Sequence, residues 1–383
     1  MRLELIATST FGLEALVKRE VQALGFQVIS TENGRVTYVG DERGIVKSNL
    51  WLRYADRVLI KMGEFDAWEF EDLFQGVKGI AWEEWIPFEG NFKVDCSSVK
   101  SRLFSLRSCQ SVGEKAIIER LRQTYGDVVF PKTHSNYVVK LSILKDHIIV
   151  TLDTTGEGLH KRGYRVNPVA APIKETIGAA MVNLSFFRPG RMLLDPCCGS
   201  GTIPIEAALL ERNIAPGLSR TFVSQDWHAI NPELWKEEKK KAFEAIDYDK
   251  ELKILAWDIS KENLQAAREN AEEAGVSDCI EFRLMDACRI SPKELMEMDR
   301  AGMIVTNPPY GTRIGEEKEI RNIYKSFAGI LKANPTWSLF VITPEKNIEK
   351  EIFKRQADRR RKLYNGNIEV CYYQFFGKKE EVK

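Results

Sequence analysis

An apolar run, Met303-Ile304-Val305, leads into Thr306-Asn307-Pro308-Pro309-Tyr310-Gly311. The run reads as a buried strand. Two consecutive prolines lock φ and supply no N–H, so the chain after Asn307 can neither continue a ladder nor enter a helix. What remains is a rigid projection at the end of a strand: a side-chain amide, backbone carbonyls and an aromatic ring. Those groups suit a flat heterocycle bearing an exocyclic amine. The Asn307 amide oxygen and the carbonyls accept from the amine, and Tyr310 offers a stacking face. A proline-rich turn closing on a core tyrosine is the plainer reading, and the upstream sequence weighs against it.

Upstream lies Met192-Leu193-Leu194-Asp195-Pro196-Cys197-Cys198-Gly199-Ser200-Gly201-Thr202. It reads as strand, acidic residue, glycine turn, then a helix through Ile205 to Leu210. Glycines let backbone approach a ligand, and a helix N-terminus offers free N–H donors. No Gly-Lys-Ser/Thr follows, so a Walker phosphate loop is excluded; the third glycine of a dinucleotide fingerprint is also missing. Two further strands end in acids: Ile254 to Asp258, followed by a helix over 263–273, and the run Phe282 to Ala287 containing Asp286. An acid after the strand that follows a glycine loop can hold two ribose hydroxyls. A second acid one strand on can accept from an adenine amine. Singly, each acid is an ordinary helix cap or solvated turn; in this order, the four strand ends form one pattern.

That pattern resembles the class I S-adenosylmethionine-dependent methyltransferases, in particular the amino-methyltransferases with an (Asp/Asn)-Pro-Pro-(Tyr/Phe) tetrapeptide. The resemblance implies an α/β domain with a mostly parallel, doubly wound sheet. It implies that the loop residues Asp195, Cys198, Gly199, Ser200, Gly201 and Thr202 hold the methionine part of the cofactor. Asp258 would take the ribose, and Asp286 with Ala287 the adenine. Asn307, Pro308, Pro309 and Tyr310 would present the target nitrogen, with Asn307 also beside the cofactor.

The chain has 383 residues, enough for two or three domains. Its 44% hydrophobic and 29% charged content is ordinary for a soluble globular protein. No run suits a transmembrane span, and charges within Met1 to Lys18 argue against a signal peptide, so the expected location is the cytoplasm. Seven cysteines, at 96, 109, 197, 198, 279, 288 and 371, form no Cys-x-x-Cys pair. With four scattered histidines, no metal site is expected. Cys197 and Cys198 read as small residues packed under the loop.

Charge is unevenly spread. Residues 1–92 carry 10 Lys/Arg against 15 Asp/Glu, residues 93–165 carry 13 against 7, and the remainder carries 33 of each. A local basic segment in a neutral chain suits a docking face for a polyanion. Lys100, Arg102 and Arg107 lie in it. The glycine-rich stretch Gly156 to Arg165 reads as a hinge, and its cations Lys161, Arg162 and Arg165 are either solvated linker charges or guides for an RNA backbone. His160, in the same stretch, is assigned no catalytic part.

Residues 1–60 follow a β-α-β-β-α-β rhythm that suggests a ferredoxin-like unit. Its strands are expected at 3–7, 35–39 and 57–63 and its helices at 13–23 and 45–52. Beyond it, helices are expected at 70–78 and 113–124, and strands at 91–95, 137–143 and 147–153. From Pro172 the pattern alternates strand and helix, as in a parallel sheet covered on both faces. The insert between Leu210 and Glu251 holds Trp227, Trp235 and the charged run 236–241, read as a solvated helix. The tract 354–362 has six cations and one anion, and reads as a phosphate contact or an exposed helix end.

Several phrases narrow the resemblance. They are Leu159-His160-Lys161-Arg162-Gly163-Tyr164-Arg165, Ala171-Pro172-Ile173-Lys174-Glu175-Thr176, Asp195 through Ala208, Ile214-Ala215-Pro216-Gly217-Leu218 and Asn307-Pro308-Pro309-Tyr310-Gly311. Together they are similar to the bacterial large-subunit ribosomal RNA guanine-N2 methyltransferases of the RlmL-like family. The resemblance implies a ferredoxin-like domain at 1–60, a THUMP RNA-binding domain at 61–155, a linker at 156–171 and a class I methyltransferase domain at 172–383. The implied substrate is the N2 amine of a guanine in 23S ribosomal RNA or its assembly intermediates. Relatives that modify tRNA share the domain order, and Asn-Pro-Pro-Tyr also serves enzymes that methylate a protein glutamine. Some family members fuse a second methyltransferase domain; the second modification that those make is not expected here. A binding protein with an inactive fold is disfavoured by the presence of Asp195, Gly199, Gly201, Asp258, Asp286 and Asn307 to Tyr310.

Overall fold

The computed structural model describes residues 1–166, 172–310 and 317–378. Gly311, the 167–171 part of the expected linker with Ala171, and the last five residues of the expected catalytic domain lie outside the described residues. The chain divides into two compact units, one formed by 1–9, 17–159 and 220–241, the other by 10–16, 160–219 and 242–383.

The first unit is built from β1 (Leu3–Thr8), the greater part of α1 (Glu14–Ala23), β2 (Val28–Glu32), β3 (Arg35–Gly40), α2 (Glu42–Trp51), β4 (Arg57–Asp66), α3 (Phe70–Lys78), β5 (Asn91–Val99), α4 (Leu106–Tyr125), β6 (Asn136–Leu144) and β7 (His147–Asp153). One sheet, in the order β2-β3-β1-β4-β7-β6-β5, carries both the ferredoxin-like rhythm and the strands after it. The join is the antiparallel pair β4–β7, from Leu59↔Asp153 to Asp66↔His147.

The sixth element of the N-terminal rhythm, which the sequence did not locate, is β2. It is an edge strand, irregular in register and partly exposed, so it lacks a buried alternation. Helix α4 begins at Leu106 rather than Gly113. Its first turns are rich in serine, and tertiary packing overrides that weak propensity. Gly113 sits so close to β6 that an added Cβ would lie 3.0 Å from Leu141 Cδ1.

The charged run 236–241 of the insert lies in the expected helix with Lys236, Glu237, Lys240 and Lys241 exposed, but the tryptophans of the insert are structural. Trp227 is buried and stacks on Tyr137 at 4.9 Å between ring centroids, and its Nε1 donates to the Asn136 carbonyl at 3.0 Å. Trp235 stacks on Phe222 at 5.2 Å. Within the helix that follows, Glu238 is buried and bridges Arg43. Residues 220–241 are therefore structural members of the first unit, although the sequence carries them inside the methyltransferase half.

The second unit contains α5 (Glu175–Ser185), β8 (Met192–Asp195), α6 (Thr202–Glu211), most of its sequence after α7 (Pro232–Glu244), then β9 (Lys253–Asp258), α8 (Lys261–Glu273), β10 (Ile280–Leu284), α9 (Pro292–Met298), β11 (Met303–Thr306), α10 (Glu317–Ala333), β12 (Ser338–Thr343), β13 (Arg359–Asn365) and β14 (Ile368–Phe375). Its sheet runs β10-β9-β8-β11-β12-β14-β13. The first four pairings are parallel and the last two antiparallel. Strands β8, β11 and β12 are buried along their whole length. That is why they read as unbroken apolar runs rather than alternating ones. Leu194, Leu255, Trp257, Ile304, Tyr324, Phe327, Leu339 and Phe375 lie in the core on one face.

Tract 354–362 opens at Lys354, which caps a short helix over Glu349–Phe353, and its last four residues lie in the edge strand β13. There Arg360 pairs with Glu349 at 3.0 Å, Arg361 donates to the Gly12 carbonyl at 2.7 Å and Lys362 pairs with Glu369 at 2.6 Å. No helix among the described residues is long and apolar enough to cross a membrane.

Candidate active site and cofactor loop

Strand β8 lies at the middle of the parallel region. The chain moves from β8 outward to β9 and β10, then returns to place β11 on the other side of β8. Such a reversal opens a crevice beyond the carboxyl ends of the strands, where ligands of doubly wound sheets bind. The glycine loop follows β8 and the Asn-Pro-Pro-Tyr segment follows β11, so they flank this reversal point.

One hydrogen bond spans it. Thr306 Oγ1 donates to Asp195 Oδ1 at 2.7 Å. The same oxygen accepts from the Cys197 N–H at 3.2 Å. Asp195 is only 1% exposed. Burial raises its carboxyl pKa from 3.8 to about 7, against the opposing effect of the Thr306 bond. The group titrates at neutral pH unless a cation stands beside it.

The loop is held from outside at two adjacent N–H groups. Cys198 N–H donates to the Trp257 carbonyl at 2.9 Å, and Gly199 N–H to Asp258 Oδ2 at 2.9 Å. Gly199 and Gly201 have φ of +53° and +81°, which disfavour a side chain. A Cβ on Gly201 would also lie 3.1 Å from the Ala267 Cβ of α8, whereas one on Gly199 would meet nothing within 4 Å. Space therefore lies over Gly199, next to the N-terminus of α6. Cys198 is buried and its thiol pKa is pushed well above 9.0 by that burial, which suits a packing residue rather than a ligand or nucleophile.

Asp258 is 6% exposed. Its Oδ1 accepts from the Ser260 N–H at 2.9 Å and Asn263 Nδ2 at 3.1 Å, so its orientation is fixed. Ile259, the next residue, is 71% exposed. An apolar side chain so exposed, next in the chain to Asp258, offers a face for a heterocycle. Asp286 lies two residues past β10, where its Oδ1 accepts from the Cys288 N–H at 2.8 Å. Ala287 is buried under it.

Across the reversal point, Asn307 Oδ1 is buried and has no hydrogen-bond partner among the described residues. An acceptor so placed is open to the donor of a ligand or a water. Pro308 is buried and Tyr310 half-buried, with the Tyr310 hydroxyl 3.5 Å from Asn365 Nδ2. Burial raises the pKa of that hydroxyl, so it stays neutral.

The cofactor fits these residues. An open cradle over a positive-φ glycine, a helix N-terminus, two oriented carboxylates and an exposed apolar side chain match an amino acid joined to a nucleoside. Among the described residues, no cluster of three or more His, Cys, Asp or Glu could hold a metal ion.

The expected hinge cations are corrected by the structure. Arg162 is 3% exposed, and its Nε donates to Glu206 Oε1 at 3.2 Å inside the second unit. A guanidinium so enclosed is unavailable to an RNA backbone. Arg165 also turns inward, pairing with Glu175 at 2.9 Å and donating to Thr202 Oγ1 at 2.9 Å. Lys161 remains exposed. Of the basic-segment candidates, Lys100, Arg102 and Arg107 are exposed and form no ion pair among the described residues.

Sequence reasoning missed Glu206, Glu175, Asn270 and Ile259, and gave Thr306 no role. Glu206 did carry a signal: an acid in the middle of the apolar run of α6, between Ile205 and Ala207, implies a buried cation.

Comparison with known proteins agrees with this geometry. The family model described as RMKL-like methyltransferase domain matches residues 162–374. Models of the RlmL ferredoxin-like domain and the THUMP domain match residues 4–59 and 67–153. The chain is 44% identical over 376 residues to a putative RNA methyltransferase, YpsC, of Bacillus subtilis, covering 98% of this chain and 96% of that one. It is 33% identical to the ribosomal RNA large subunit methyltransferase K/L of Psychromonas ingrahamii, covering 94% of this chain but 48% of that enzyme, so it spans about half of the K/L length. Among solved structures, SMU.472, a putative methyltransferase complexed with SAH, superposes with a TM-score of 0.92 at 38% identity, covering 99% of each chain. The chain belongs to the RMKL-like methyltransferase family, with an RlmL-type ferredoxin-like domain and a THUMP domain before the catalytic domain, and its methyl donor is S-adenosylmethionine.

Proposed function

We propose that this protein methylates RNA at the exocyclic N2 of a guanine, with large-subunit ribosomal RNA or its assembly intermediates as substrate. The observation that carries the amine chemistry is the Asn307 Oδ1 just past β11, buried and without a partner among the described residues. RNA as substrate is supported by the THUMP domain, by the exposed cations and by relatives named as RNA methyltransferases. The large subunit rests on the relatives named as ribosomal RNA large subunit methyltransferases, and the guanine on the resemblance of the motifs to the RlmL-like family.

The bound cofactor supplies an electrophilic methyl group. The guanine amine is a poor nucleophile because its lone pair is delocalised into the ring. Asn307 Oδ1 and the Pro308 carbonyl accept its two hydrogens, which turns the lone pair out of the ring plane. The C–N bond forms as the methyl–sulfur bond breaks, and the amine then sheds a proton to solvent. No strong base is required. Positioning and fixed dipoles supply the catalysis. Tyr310 replaces stacking lost when the base leaves its helix, worth about 1–3 kcal/mol.

The decisive experiment supplies methyl-labelled S-adenosylmethionine and separated ribosomal and transfer RNA from cells lacking the gene. Label is expected in N2-methylguanosine of large-subunit RNA. Label in transfer RNA would move the substrate, and no label in either RNA, with cofactor still bound, would overturn the reading of free RNA as substrate.

The basic segment takes the RNA backbone in this reading. Lys100, Arg102 and Arg107 surround Phe104, which is 80% exposed and offers a stacking face. Replacing the three cations by alanine is expected to flatten the slope of log affinity against log salt by about 2 units, since each phosphate contact contributes roughly 0.7–0.9. An unchanged slope would remove these residues from the interface. Cofactor affinity, measured by calorimetry, is expected to stay the same.

A further inference from the structure

The glycine loop has one bond of its own, from Gly201 N–H to the Cys198 carbonyl at 2.8 Å, and four tethers from outside. Cys198 N–H is taken by the Trp257 carbonyl and Gly199 N–H by Asp258, already part of the site. The other two come from residues without an assigned part in it. Asn270, fully buried on α8, donates from Nδ2 to the Ser200 carbonyl at 3.0 Å. Arg165 donates to Thr202 Oγ1 at 2.9 Å and to the Ile173 carbonyl at 3.2 Å, while Glu175 takes its charge at 2.9 Å.

Asn270 does a second thing. Its Oδ1 accepts from the Val166 N–H at 3.1 Å. One side-chain amide therefore joins the loop carbonyl on one side to the segment that precedes α5 on the other. Ala267, one turn earlier on α8, presses on Gly201, where a Cβ would lie 3.1 Å away. Helix α8 thus fixes the loop by contact at Ala267 and by hydrogen bond at Asn270. Residues 165 and 166 fix it from the opposite chain direction.

We propose that Asn270 and Arg165 are positioning residues for cofactor binding. They hold the Ser200 carbonyl and the Thr202 side chain so that Gly199 and the first N–H groups of α6 face the cofactor in one arrangement. The segment ending at Val166 is then part of the cofactor site, not a passive connection. This proposal rests on use of S-adenosylmethionine and not on the identity of the RNA, so either reading can fail alone.

The test uses the full chain with S-adenosylmethionine and, separately, S-adenosylhomocysteine, titrated in a calorimeter. Asn270→Ala and Arg165→Ala are each expected to weaken both ligands about tenfold, the effect of roughly one lost buried hydrogen bond. The KM for S-adenosylmethionine is expected to rise in proportion, while kcat at saturating cofactor and the KM for RNA stay within about twofold. Arg165→Lys, which keeps the charge for Glu175 and a donor for Thr202, is expected to lie between wild type and Arg165→Ala. Asn270→Asp keeps the acceptor for Val166 but loses the donor to Ser200, and it carries the measurement if Asn270→Ala does not fold. A lower melting temperature with unchanged affinity for both ligands would show a structural role only and overturn the proposal.

Discussion

Asn307→Ala is expected to lower kcat about 100- to 1,000-fold, the loss seen when one preorganised polar group facing the reacting centre is removed. It is expected to leave the cofactor dissociation constant within about twofold, because the glycine loop, Asp258 and Asp286 are untouched. Stability supplies the second half of the signature. Asn307 Oδ1 is buried with no partner among the described residues, and a desolvated acceptor costs about 1–3 kcal/mol in the folded state. Removing it spares that cost, so the variant should melt no lower than wild type, or slightly higher. A residue retained at a cost to the fold, and needed for turnover, is what a site poised for a substrate donor requires. Full turnover in Asn307→Ala would remove the residue from the mechanism. A large fall in cofactor affinity would instead make it a cofactor ligand.

Those parts of the protein that depend on local rules were legible before the structure. Strands β8, β9 and β11 announce themselves by unbroken apolar runs, because a parallel sheet covered on both faces leaves no polar side. Helix α3 was located at Phe70–Lys78, with Glu69 and Asp72 forming its cap. What stayed hidden depends on partners distant in sequence. Nothing around Arg162 distinguishes a solvated linker arginine from a buried one. Only Glu206, 44 positions later, takes it into the core. The insert misled for the same reason, since the partners of Trp227 are Tyr137 and Trp85, far upstream. Asn270 lies in a helix of charged residues, where its neighbours hide that its own side faces the loop. The order of strand ends declared the chemistry. The hydrogen bonds that hold those ends in place belong to the tertiary structure.

Asp195→Asn is expected to separate stability from binding most sharply. The Asp195 carboxyl is buried, and its pKa in the folded protein is about 7 against 3.8 for the free side chain. Between those values the folded state binds a proton that the unfolded state has released. Stability from this group is therefore full below about pH 4 and is lost as pH rises through 7. Asparagine has nearly the same shape, and its Oδ1 can still accept from Thr306 Oγ1 and the Cys197 N–H. It carries no charge to bury. Without cofactor at pH 8, the variant is expected to be more stable by about 2–4 kcal/mol, since one pKa unit is worth about 1.4 kcal/mol. The advantage should shrink steadily as pH falls from 7 to about 4. Binding moves the other way. The cofactor brings an ammonium and a sulfonium, and a buried carboxylate beside cations is worth about 2–5 kcal/mol when one partner is lost. S-Adenosylmethionine affinity at pH 8 is thus expected to fall on the order of 100-fold. Melting curves across pH without ligand, paired with calorimetry at pH 8, test both halves. A variant no more stable at pH 8 than at pH 5, relative to wild type, would mean that Asp195 is not held under burial strain. A variant that binds cofactor normally would mean that the carboxylate serves only to join β8 to β11 through Thr306.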